Sequence, residues 1–86
     1  MFVKIKNIIV LENFRIKIFF DNDEVRIVDF KPLIKRKGEL NKPLADRKYF
    51  KKVKIYDGGH GIYWPNSLDV CIDYLQYHSK PEKVTA

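Results

Sequence analysis

Apolar and polar positions alternate through the first third of the chain. Val3 and Ile5 fall on one side of a strand pattern, with Lys4 and Lys6 on the other. After Asn7 the phase changes into an unbroken apolar run, Ile8 to Leu11. That pattern predicts either a strand with a bulge or one whose second half is covered on both faces. Alternation resumes from Phe14 to Phe20, with Phe14, Ile16, Ile18 and Phe20 pointing one way. Asp21-Asn22-Asp23-Glu24 is a turn sequence, because Asn and Asp tolerate left-handed backbone. Val25 to Phe30 is β-branched and strand-like. A two-residue loop at Asn22-Asp23 would pair Phe20 with Val25 and Ile18 with Ile27 on one apolar face.

The pattern shortens beyond Phe30. Lys31-Pro32-Leu33-Ile34 can open a short helix, since proline suits a first helical turn. Lys35 to Pro43 reads as a polar loop. Asp46 is placed to cap a second short helix to about Lys52, anchored by Tyr49, Phe50 and Val53. Val53 to Tyr56 and Ile62 to Trp64 read as a hairpin around a four-residue loop, Asp57 to His60 or shifted by one. Leu68, Cys71, Ile72 and Leu75 then follow the i, i+3, i+4, i+7 stripe of an amphipathic helix.

Strands cluster at both ends of this order, which excludes βαβ alternation and predicts an α+β fold. The expected architecture is a single small domain over residues 1–78, in the order β-β-β-α-β-β-α. It has an antiparallel sheet of about five strands, with short helices packed on one face. Residues 79–86 are expected to form a flexible C-terminal tail, being polar and broken by Pro81.

Composition supports one ordered domain. The 86 residues are 45% hydrophobic and 14% aromatic, enough for a core. The lone Cys71 excludes an internal disulfide. No charged-then-apolar leader precedes the first strand pattern, and no apolar run approaches the roughly 18–20 residues needed to span a bilayer. A cytoplasmic, soluble protein with no membrane contact is therefore expected.

Charge changes the picture more. The net charge is +6, but it is not spread evenly. Between Lys31 and Lys54, ten Lys and Arg residues face only Glu39 and Asp46, while the flanking regions are neutral or slightly acidic. A segment so biased attracts a nucleic acid or an acidic protein surface, or simply solvates one face.

The stretch Asp57-Gly58-Gly59-His60-Gly61 followed by Trp64-Pro65-Asn66 is the obvious place to look for chemistry. Successive glycines can form an anion-binding nest, but the Lys-Ser/Thr ending of a phosphate loop is missing, and a hairpin turn accounts for them. Two His and one Cys fall short of a structural zinc set. Cys71 lies on the apolar stripe of the last helix, where a free thiol is ordinarily a small core residue rather than a nucleophile. Trp64 either presents an aromatic surface to a partner or closes the core. No catalytic set, cofactor site or small-molecule site emerges, and a non-enzymatic role is expected.

Several segments carry a family resemblance. Val28-Asp29-Phe30-Lys31-Pro32-Leu33 and Ile62-Tyr63-Trp64-Pro65-Asn66 are its main signatures. Phe20 to Arg26, Pro43 to Asp46, Tyr49 to Val53 and Leu68 to Cys71 are in matching order, as is Leu75-Gln76-Tyr77. With them the chain resembles the prokaryotic family catalogued as domain of unknown function 2442. Two departures stand out: Asp23 where the family usually has Gly, and Ile72 where a Pro is common, which would let the last helix start earlier. The resemblance implies a small α+β domain and no activity. Some relatives resemble fusions to a helix-turn-helix domain. Others resemble neighbours of a second small protein in toxin–antitoxin-like pairs.

Two functions follow as expectations. The first is a protein–protein interaction module, in antitoxin-like form the partner of a neighbouring gene's product. Its contact surface would be the basic segment or a free sheet edge, with Tyr49 and Trp64 as candidate partner-facing aromatics. The second is direct nucleic-acid binding through Lys35, Arg36, Lys37, Arg47, Lys48, Lys51 and Lys52, with Tyr49 available to stack.

Overall fold

The computed structural model describes residues 3–35, 42–66 and 68–81. It is an α+β fold whose strands divide into two antiparallel sheets. The first sheet holds β1 (Ile5–Val10), β2 (Arg15–Phe20), β3 (Val25–Asp29) and β7 (Ser79–Pro81), in the order β1-β2-β3-β7. The second holds β4 (Lys54–Ile55), β5 (Gly61–Tyr63) and β6 (Asp69–Cys71), in chain order. Between them run α1 (Lys31–Ile34), a 3-10 turn at Lys42–Ala45 and α2 (Arg47–Phe50), while α3 (Ile72–Tyr77) leads from β6 into β7.

The phase change in β1 is a bulge. Ile5 pairs with Phe20 but Asn7 with Phe19, so Lys6 is the extra residue. Ile5 is buried and Ile8 and Val10 pack against the core, while Ile9 is exposed. The second half of β1 is therefore not covered on both faces.

The β2–β3 hairpin forms, but one residue out of the expected register. Ile18 pairs with Arg26 and Ile16 with Val28. A two-residue turn of the favoured type needs positive φ at both central residues. Only Asp23 has one, at φ 67, so the loop spans Asp21 to Asp23. Phe20 closes it by donating to the Glu24 carbonyl and accepting from the Asp23 N–H. A one-residue shift exchanges the faces of β3. Val28 joins Ile16, Ile18 and Phe20 in the core, whereas Val25 and Ile27 lie half-buried on the other face with Lys17 and Phe19.

The shift also brings Arg26 to the core side. Its guanidinium donates to the hydroxyl and the carbonyl of Ser79, and Ser79 Oγ donates to the Gln76 carbonyl. Ser79–Pro81 is accordingly a strand on the edge of β3 rather than part of a tail; the rest of the expected tail, 82–86, lies outside the described residues. Proline is tolerated there because an edge strand needs no second ladder.

The last helix also differs from its stripe. Asp69–Cys71 pairs with β5, and α3 begins at Ile72 rather than earlier. Leu75 is buried but Cys71 is exposed, since a residue on β6 obeys the period of two set by buried Val70.

Both sheets and the short helices close on one apolar cluster, whose largest fully buried side chain is that of Trp64. The loop Asp57–His60 joins them: Gly59 C=O accepts from the Ile5 N–H at 2.9 Å, tying the β4–β5 hairpin to the start of β1. A Cβ on Gly59 would stand 2.5 Å from the Ile5 carbonyl oxygen, with φ at +73. At Gly58, φ +85, it would meet only the flexible His60 ring at 3.0 Å. Chemical denaturation should therefore show Gly58→Ala losing about 1 kcal/mol and Gly59→Ala losing on the order of 2 kcal/mol or more. Equal losses would contradict the close approach.

Candidate functional site

The α2 turn places most of the cations predicted as contacts. Asp46 stands outside the helix at φ −86, ψ 120, and its side chain accepts from the Lys48 N–H at 2.9 Å. This is the expected N-cap. Phe50 and Val53 are buried and Tyr49 half-buried, so this face of the turn is inside. Arg47 and Lys51 are four residues apart, as are Lys48 and Lys52, and all four are exposed. None forms an ion pair among the described residues.

Beside them lies a cleft of about 210 Å³. Val10, Phe14 and Phe50 give it an apolar lining, Glu12 and Asn13 a polar rim, and Arg47 and Lys51 a basic wall. Its far side is the β1–β2 loop, where Asn13 and Phe14 adopt φ 62 and 57. Left-handed backbone is common for Asn and strained for Phe. Phe14 is held there by an edge-on contact with Phe50, centroids 5.4 Å apart, and by the Phe30 N–H donating to its carbonyl at 2.9 Å. Neither residue stood out in the sequence, where Phe14 counted as the first residue of an alternating strand. Asn13, a residue that favours left-handed turns, was the available signal.

The remaining site residues separate. Lys35 is exposed at the end of α1, on a different element, and Arg36 and Lys37 lie outside the described residues. Tyr49 turns its hydroxyl inward to accept from the Asn66 N–H at 2.9 Å. Trp64 is fully buried and its Nε1–H donates to the Phe50 carbonyl at 2.9 Å. It faces the core, not a partner. The reason is geometric: β5 ends beneath α2, and the Trp64–Asn66 corner is closed by the Trp64 N–H to the Leu68 carbonyl and by Asn66 Oδ1 accepting from the Leu68 N–H.

Cys71 joins no hydrogen bond or ion pair with His60 or His78, and among the described residues no group of three or more His, Cys, Asp or Glu could hold a metal ion. Among those residues no helix is long and apolar enough to cross a membrane.

The corners built by Asp29 and Asn66 coincide with the two most characteristic sequence segments. Asp29 Oδ1 accepts from the Lys31 N–H at 2.9 Å to start α1, just as Asn66 closes the corner after β5. A family model described as Protein of unknown function (DUF2442) matches residues 5–81. The chain belongs to this family. The DUF2442 match runs from the first residue of β1 to the last of β7, so it includes the strand formed by Ser79–Pro81. No curated protein and no solved structure matches the chain.

Two outcomes check the geometry. Tyr56 Oη donates to Asp69 Oδ2 at 3.0 Å. That bond, then desolvation and the charges of Asp69 and Tyr63, raises the phenol above its ordinary 10.0. The bond belongs to the neutral phenol, so its contribution is present below the unfolded value and is lost as pH rises through the higher folded one. Tyrosinate absorbance of the wild type minus Tyr56→Phe should titrate above 10, and Asp69→Asn should lower that midpoint. Separately, the exposed Cys71 thiol should react with iodoacetamide in the native protein nearly as fast as in the unfolded chain. A protected thiol would contradict its position on β6.

Proposed function

We propose that the protein is a non-enzymatic protein-interaction module whose contact surface is the α2 turn with the adjoining cleft. The observation that carries this reading is the exposed set Arg47, Lys48, Lys51 and Lys52, unpaired among the described residues, beside an opening with apolar walls. Concentrated charge next to apolar surface is the pattern of a protein contact, where the charge steers the encounter and the apolar patch holds the complex. The nucleic-acid reading uses the same cations for phosphate contacts, with Tyr49 as a ring to stack. Tyr49 is half-buried with its hydroxyl engaged, and Trp64 is fully buried. The resemblance supplies a form for the partner, the product of a neighbouring gene in an antitoxin-like pair.

Co-expression with the product of the adjacent gene tests this. A stable complex that co-purifies is expected, and Arg47→Glu with Lys51→Glu should weaken it. A chain that stays unaccompanied overturns the antitoxin-like form. Binding to DNA or RNA at ~50 mM salt, with affinity falling steeply as salt rises, would transfer the function to the nucleic-acid reading.

A further inference from the structure

Among the described residues, the side of β1 turned away from β2 carries an unpaired length of backbone. The ladder bonds of β1 and β2 fall on alternate residues, and the Leu11 N–H donating to the Arg15 carbonyl at 2.8 Å sets their phase. In that phase Ile9 and Asn7 exchange bonds with Lys17 and Phe19, while the peptide groups of Ile8 and Val10 point outward. Near its start the strand is protected, by the Lys6 bulge and by the Ile5 N–H bonded to Gly59. Beyond the bulge the described residues offer Ile8 and Val10 no backbone partner. Natural sheets usually shield such an edge with charge, proline or a covering element.

Val10 belongs both to this edge and to the cleft. A strand laid against β1 would therefore run directly into the opening walled by Arg47 and Lys51. We infer that the partner supplies an extended acidic segment that adds to β1 as a further strand and sets a carboxylate between Arg47 and Lys51. Backbone bonds to Ile8 and Val10 give the register, and an apolar side chain beside the carboxylate packs on Phe14 and Phe50. Charge complementarity chooses the occupant. Among the described residues, two cations without ion pairs line the opening against the single carboxylate of Glu12, so an acidic side chain gains and a basic one is repelled. This inference rests on the interaction reading above and names its partner's chemistry.

The probe is an acetylated and amidated heptapeptide of alternating Val and Glu, titrated into the full chain and followed by amide hydrogen exchange. Expected results are slowed exchange at Ile8 and Val10 and roughly tenfold weaker binding to the Arg47→Glu, Lys51→Glu double variant. The same peptide N-methylated on alternate residues should lose binding to the wild type, a control that needs no variant to fold. Val10→Pro, which removes an outward N–H from an edge strand, should lose it too. Binding that leaves the Ile8 and Val10 amides unprotected overturns the proposal, as does no binding of the peptide at all. So does concentration-dependent dimerisation through β1, which would make a second copy the occupant, or salt-sensitive binding of an oligonucleotide that displaces the peptide. If the Arg47→Glu, Lys51→Glu variant loses the co-expressed partner while the Val10→Pro variant retains it undiminished, the edge proposal fails while the interaction reading stands.

Discussion

The indole N–H of Trp64 donates to the carbonyl of Phe50 at 2.9 Å inside a cluster of rings from four different segments. Phe14 comes from the β1–β2 loop, Phe30 from the end of β3, Phe50 from α2 and Trp64 from the end of β5. Adjacent centroids lie 5.4–5.8 Å apart, mostly edge to face, an arrangement that adds to the energy of burial alone. The hydrogen bond does something burial cannot. A helix of four residues leaves its last carbonyls without partners, and Trp64 satisfies one of them where water does not reach. An acceptor left bare there costs about 1–3 kcal/mol. Burial of the Phe50 side chain and the bond to its carbonyl together fix the rotation of α2.

That rotation explains why the basic residues form a surface at all. Isolated helices this short do not persist, so α2 exists only as docked. With Phe50 and Val53 buried and Tyr49 bonded to the Asn66 N–H, positions 47, 48, 51 and 52 have no direction left but outward. The same rings hold the opposite side of the cleft. Phe14 keeps a left-handed backbone because Phe50 packs against its ring and the Phe30 N–H bonds its carbonyl. Strain of that kind, on the order of 1–3 kcal/mol, survives only where surrounding contacts over-determine it. The cleft is thus a by-product of the core, shaped by aromatic packing and lined by charge that the core excludes.

Much of the fold was legible because local chemistry was consistent. Asp46 reads as a cap and is one; Pro32 reads as a helix start and is one; Asp57 to His60 reads as a four-residue turn and is one. Three features escaped for separate physical reasons. The β2–β3 register turned on the φ of Asn22 and Asp23, and their identities alone admit two loop lengths. The helical stripe through Leu68 and Cys71 was real in spacing, but β5 offered Asp69–Cys71 a ladder, and pairing overrode periodicity. Ser79–Pro81 carries no apolar pattern, because that strand is held by backbone bonds and by Arg26.

Of the candidate site, the sequence alone located the cations but not their setting. It determined which residues could cap, turn, alternate or carry charge, since those are properties of single side chains and their near neighbours. It also determined the α+β class and the family, through the order of such segments. Only the tertiary structure decided that Trp64 is inside, that Cys71 is outside, and that Asn13 and Phe14 face Arg47 and Lys51 across an opening. It also left the outward peptide groups of Ile8 and Val10 without a backbone partner among the described residues. Each of these depends on contacts between segments far apart in the chain, and no local pattern records which distant segment will arrive.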